Sequence, residues 1–258
     1  MSAELASVWF SVGLFLGVLS ALLIGRRVGA RRIRDDAEGA RAGVGAVEGA
    51  VFGLMGLLIA FTFSGAAARF DARRDLIVKE ANAIGTAWLR IDLLPQSAQS
   101  AVRQAFRDYV DSRIATYRHT SDLAAVKQEV TRSMRLQSEI WALAVAAGRE
   151  PGMQQATMLL LPALNEMIDI TTTRAMATEM HPPKVVFGML FSLTVVAALL
   201  AGIAMGGGKS PSWLHMIGFA AVMAISAYVI LDIEYPRRGL IRVDRFDHLL
   251  VELRATMN

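Results

Sequence analysis

Four stretches of about twenty residues, 6–25, 49–68, 185–204 and 213–231, contain no Asp, Glu, Lys or Arg. Each matches the length that a helix needs to cross a bilayer's hydrocarbon core. A helix satisfies its own backbone hydrogen bonds, so four helical spans are the economical reading. Trp9 and Trp213 stand at span ends, where an amphipathic ring prefers the headgroup region, and arginines begin at Arg26 and Arg69 as spans end.

The second span runs on past its apolar part. Phe70, Ile77, Ala81, Ile84, Trp88 and Ile91 recur at helical intervals with no Pro before Pro95, which predicts one helix over about 46–94. Val102, Phe106, Tyr109 and Ile114 mark a second amphipathic helix. A third follows Ser121 as N-cap, carries Leu123, Val126, Val130, Met134 and Trp141, and ends at Gly148. A fourth starts after Pro151, tolerates a kink at Pro162 and stops at His181-Pro182-Pro183. The last segment alternates charge with Leu240, Val243, Phe246, Leu249, Leu250 and Leu253, a helical tail predicted to pack on the middle domain. No strand pattern competes. The fold class is therefore all-α: a four-span transmembrane protein with a helical extramembrane domain between spans 2 and 3. The predicted parts are 1–68 (spans 1 and 2 with an Arg-rich linker), 69–183 (helical domain), 184–232 (spans 3 and 4) and 233–258 (tail).

Composition fits this division, since 54 % hydrophobic residues coexist with 19 % charged ones in 258 residues. The net charge of +4 is explained by juxtamembrane arginines meeting anionic headgroups, and nucleic acid is not an expected partner. Arg26, Arg27, Arg31, Arg32, Arg34 and Arg41 crowd the first interspan loop, diluted by Asp35, Asp36 and Glu38. Arg69, Arg73, Arg74, Lys79, Lys184, Arg237, Arg238, Arg242 and Arg245 flank the other side, and Lys209 alone lies in the short loop opposite them. Counting flanks leaves the orientation open. There is no cysteine, hence no disulfide or thiolate site. His119, His181, His215 and His248 are scattered, and neither a P-loop nor a nucleophile elbow occurs, so no catalytic residue, cofactor or metal is expected.

The functional signals are intramembrane. Gly45, Gly49, Gly53, Gly56, Ala60, Ser64, Gly65 and Ala68 make the second span rich in small residues, which let helices approach closely in a bundle or an oligomer. Gly13 and Gly17 make the same point in the first span. One face, Gly53, Leu57, Phe61 and Ser64, would line a pore with a hydrophobic constriction at Leu57 and Phe61 if several copies ring an axis. The face Phe52, Gly56, Phe63, Phe70 is the alternative. Glu48, one residue outside the uncharged run, reads as an interfacial carboxylate. Asp71, Asp75 and Glu80 interleave with Arg69, Arg73, Arg74 and Lys79 as a solvated surface with local ion pairs. Asn165, Glu166, Asp169 and Arg174, with Asp232 and Glu234, form the structural polar clusters.

The run GLLIAFTFSGAAARFDARRDLIVKEANAIGTAWLRIDLLP, residues 56–95, resembles the pore helix of the bestrophin superfamily. There a Gly- and Leu-rich span likewise passes into an Arg-aromatic-acidic stretch, here Arg69, Phe70 and Asp71. DIEYPRRG, residues 232–239, is similar to the family's E-x-P-F-G pattern, with Arg237 and Arg238 standing where the family has Phe. LNEMID, residues 164–169, is similar to the bacterial bestrophin-like branch. The resemblance implies a homo-oligomer, a pentamer in bestrophins, in the bacterial inner membrane with the middle domain in the cytosol. It further implies a central ion path along the second span. Arg69, Arg73 and Arg74 would form an ion-attracting vestibule for inorganic ions, anions foremost. Gly53, Leu57 and Phe61 replace the family's bulky neck residues, and no calcium site carries over. The rival expectation is a non-conducting scaffold or sensor whose helical domain binds a partner protein.

Overall fold

The computed structural model describes residues 3–35, 44–118, 122–208, 210–237, 240–241 and 243–257. Those residues form eight α-helices and no strand: α1 (Ala3–Asp35), α2 (Val44–Arg90), α3 (Gln96–Arg118), α4 (Leu123–Gly148), α5 (Gln154–Glu179), α6 (Lys184–Ala204), α7 (Trp213–Glu234) and α8 (Asp244–Thr256). Four are long and apolar enough to cross a membrane. Helix α2 is a single run of 47 residues that tightens into a 3-10 turn at Ile91–Leu93 before Pro95, and α5 continues through Pro162. Ser121, the expected cap of α4, lies outside the described residues. Asp122 caps that helix instead, its Oδ1 accepting from the backbone N–H groups of Ala124 and Ala125 at 2.9 and 3.1 Å. Asp36, Glu38, Arg41, His119, Lys209, Arg238, Gly239 and Arg242 also lie outside the described residues, as does the side chain of Arg245.

The chain divides into two compact units. The first comprises residues 1–70 and 181–241, and so holds α1, the apolar part of α2, α6 and α7. Here α1 and α6 are pressed together through glycine. A Cβ on Gly25 would lie 2.1 Å from the Leu199 carbonyl oxygen, one on Gly29 2.2 Å from that of Ile203, and one on Gly202 2.3 Å from that of Leu22. Gly206, four residues after Gly202, is equally tight against Gly29 and Ala30. Two small-xxx-small motifs thus face each other, the device by which helices gain dispersion contact where lipid offers no hydrophobic drive. Gly13, Gly17, Gly45, Gly49, Gly53 and Gly56 meet nothing within 4 Å, so the tight seam falls on different glycines from those that the sequence brought forward. Val18, Leu22, Met216 and Ala220 complete this core, and Ala66 of α2 is buried against Leu190, Ile230 and Ile233.

The second unit comprises residues 71–180 and 242–258. Its core joins the polar half of α2 to α3, α4, α5 and α8 through Ile84, Trp88, Phe106, Tyr109, Ile140 and Leu164, with Leu250 of the tail packed among them. Every large member of that cluster sits at helical spacing from the next on its own element, which is why the period of the hydrophobic positions predicted these helices.

Candidate functional site

At 3.6 residues per turn, Gly53, Leu57, Phe61 and Ser64 fall in one narrow stripe of α2, with Met55, Thr62 and Ala66 on the opposite side. The structure separates the two sides cleanly. Met55, Thr62 and Ala66 are buried, whereas all four residues of the stripe are exposed, Leu57 to 52 % and Phe61 to 66 %. No span is less covered by its own chain: 17 % of the most apolar part of α2 is buried, against 28 to 39 % for the other three. The alternative face is partly spent. Phe52 packs edge-on against Phe219 at 6.2 Å, and Phe70 leans on the Ala66 cluster.

At the end of the apolar run, Arg69 donates to Glu234 through Nε at 3.0 and 3.1 Å and through Nη2 at 2.6 Å. Gly65, one turn earlier, leaves room for that guanidinium, since a Cβ there would come within 3.3 Å of Nη1. The Glu234 side chain is wholly buried at the C-terminus of α7, and its other oxygen lies 2.8 Å from His181 Nδ1. The imidazole packs against the Tyr235 ring at 4.6 Å, and Pro182, which follows it, favours extended backbone at His181. Two residues before Glu234, Asp232 accepts from the backbone N–H groups of Leu240 and Ile241 at 3.0 and 2.8 Å, closing the loop after α7. Arg69, His181 and Glu234 therefore form an ionic latch, and Asp232 is a turn-former.

The other two arginines expected in a vestibule also have partners. Arg73 is buried and donates to the carbonyls of Ala177 and Met180 at 3.0 Å each, at the end of α5 where the helix dipole favours a cation. Arg74 bonds Asp71 and lies 4.3 Å over the Phe246 ring. The local ion pairs expected on α2 are present, Arg74 with Asp71 and Lys79 with Asp75. Glu80 departs from that solvated surface and is fully buried.

Glu80 accepts from Arg113 Nε at 2.6 Å and from Arg174, whose Nη2 reaches Asp247 of α8 at 2.6 Å. Tyr117 lies under the Arg174 guanidinium at 3.7 Å. Burial alone would raise the carboxyl pKa, but Arg113 and Arg174 outweigh it and hold Glu80 below its ordinary value. Burial and the Glu80 charge push the Tyr117 hydroxyl up to about 12. The same carboxylate keeps both arginines firmly protonated against their own burial. The grouping of Arg174 with Asn165, Glu166 and Asp169 is corrected here. Asn165 bonds Asp169 at 3.0 Å on an exposed face and Glu166 is exposed, whereas Arg174, on the buried side of α5, belongs to the Glu80 network. Among the described residues, no three metal-ligating side chains converge. Glu48 is half-buried at the start of α2, with Oε1 lacking a hydrogen-bond partner.

Arg113, Asp247 and His181 carry no local mark of these roles, because their partners lie far along the chain. Position 80 did carry a signal: it is three residues from Ile77 and four from Ile84, on the same buried side.

A family model, the Bestrophin-like domain, matches residues 12–246. No curated protein matches the chain. Two crystal structures of a bacterial bestrophin homolog from Klebsiella pneumoniae, each with a point mutation, are similar in fold. One has a TM-score of 0.71 at 13 % identity, covering 95 % of this chain and 98 % of that one. The other has a TM-score of 0.65 at 14 % identity, covering 93 % and 99 %.

Proposed function

From the premise that this chain belongs to the Bestrophin-like family, whose known members are ion channels, we propose that it is a homo-oligomeric passive ion channel of the bacterial inner membrane. The observation that carries this reading is the uncovered stripe Gly53, Leu57, Phe61, Ser64, set opposite the buried side of α2. In a ring of copies, five by analogy with the family, this stripe faces the axis. Leu57 and Phe61 then form an apolar constriction that gates by excluding water, and Gly53 and Ser64 widen the path on either side. The small residues Gly56 and Ala60 beside the stripe let neighbouring copies approach closely.

An anion preference draws on the chain's basic balance of +4 and on Arg74, which keeps 40 % of its side chain exposed. Arg69 and Arg73 are committed to the latch and to the α5 carbonyls, so in this reading they shape the exit rather than supply its field.

The test is ion flux from liposomes containing the purified protein, chloride against potassium, in wild type, Leu57→Ala and Phe61→Ala. Flux that rises in both variants and favours chloride supports the proposal. Flux indifferent to both substitutions refutes the constriction, and potassium preference refutes the anion reading.

The scaffold reading is favoured by one observation. The helical unit exposes the large apolar side chains of Leu89, Leu123, Met134 and Met158, each by more than half, and a partner protein could cover them. A correctly assembled oligomer that passes no ions would turn the assignment toward partner docking through those residues.

A further inference from the structure

The four spanning helices of the first unit surround a cavity of about 160 Å3. Leu14, Leu190, Thr194 and Ala227 form its buried floor, and Phe10 and Phe191, each nearly half exposed, flank its mouth. Its position follows from the packing of α1 on α6. The glycine seam draws these helices together at Gly25 and Gly29, while the bulky residues from Phe10 to Leu14 and from Phe187 to Phe191 meet at the other end.

The chemistry of the lining is selective. Two hydroxyls line it: the buried Thr194 donates back to the Leu190 carbonyl at 2.7 Å and so offers no donor to a guest, and the half-buried Ser226 is the one further polar side chain in an otherwise apolar lining. Such a space does not hold water or an ion, because neither finds the several polar partners that it needs. An apolar guest is the complement, since a void of this size forfeits the dispersion contacts of every side chain around it. Phe10 and Phe191 lie only four and six residues inside uncharged runs of membrane-spanning length, about 6 and 9 Å along a helix, so the mouth opens at the outer edge of the bilayer's hydrocarbon, just beneath the headgroups.

We infer that this cavity binds one acyl chain of a membrane phospholipid, inserted between Phe10 and Phe191, with its headgroup left in the surrounding leaflet. Ile59 of α2 also lines the space, on the side of that helix turned away from Leu57 and Phe61. The bound chain therefore serves as packing for a helix that its own protein covers poorly. The assignment does not depend on ion conduction.

The test uses the full-length protein reconstituted in nanodiscs of phosphatidylglycerol brominated on its acyl chains, with bromine located in the electron-scattering map. Bromine inside the cavity of the wild type, lost in Ala227→Phe, is the expected result. Ala227→Leu, a smaller filling, guards against a variant that does not fold. Native mass spectrometry should show one retained phospholipid per protomer in the wild type and none in either variant. An empty cavity, a side chain of a second copy in it, or bromine seen only when bromopalmitate is added as the free acid would each overturn the assignment.

Discussion

Replacing Glu80 by Gln keeps the shape of the side chain and removes the charge shared by Arg113 and Arg174. Arg174 retains Asp247, but Arg113, only 6 % exposed, keeps no carboxylate partner within its own network. Removing one member of a buried ion pair costs about 3–5 kcal/mol, because the remaining charge is left uncompensated. At ~4 °C per kcal/mol for a unit of this size, the melting temperature of the helical unit should fall by roughly 15 °C. Thermal melting of the full-length protein in detergent reads this, by circular dichroism and by tryptophan fluorescence, since Trp88 lies in that core. The pH dependence has a definite sign. The folded pKa of Glu80 lies below the ordinary carboxyl value of 4.5, so its contribution is complete above that pH and is lost as pH falls through the lower folded value. Wild type should therefore lose stability on acidification below about pH 4.5, and the variant should lack that component. Glu80→Leu combined with Arg113→Met should recover most of the loss, because an apolar replacement of a buried pair is often neutral. A drop under about 1 kcal/mol for Glu80→Gln, or a double variant no better than the single, would refute the reasoning.

Gly202→Ala drives a Cβ to within 2.3 Å of the Leu22 carbonyl, so α1 and α6 must separate. It should cost about 2 kcal/mol by the same melting assay, whereas Gly13→Ala, in open space, should be neutral or slightly stabilising. Arg69→Lys replaces a forked donor by a point charge at the buried Glu234 and should lower stability by about 2 kcal/mol, measured by denaturant titration in detergent. Asp122→Ala removes the cap of α4 and should cost about 1 kcal/mol, with early fraying of that helix visible in amide exchange.

The spans and the amphipathic helices were legible because each is a local pattern repeated over several turns. Phe106, Tyr109, Ile84 and Trp88 needed only their own neighbours in sequence to announce a buried side. The stripe from Gly53 to Ser64 was legible in the same way, as a period, though period alone could not choose between it and the face of Phe52 and Phe70. What stayed hidden was pairing across distance. Arg69 reads as one more arginine after a span until α7 brings Glu234 to it from 165 residues away. Glycine content pointed to α2, whereas Gly25 and Gly29 acquire their meaning only once Gly202 and Gly206 are opposite them. A small residue signals that a close approach is permitted, and it does not say which helix makes it.

That glycine seam sets a schedule for biogenesis. Arg26 of α1 donates to the Gly208 carbonyl, a contact spanning 182 residues, and the whole α1–α6 contact is comparably non-local. At a synthesis rate of about 5–20 residues per second, the first span waits some 10–35 s in the bilayer before the helix it packs against has been made. Through that interval the surface around Gly25 and Gly29 stands open to any other small-faced helix in the translocating membrane. Accurate assembly thus depends on the first span remaining apart from foreign partners until the third arrives.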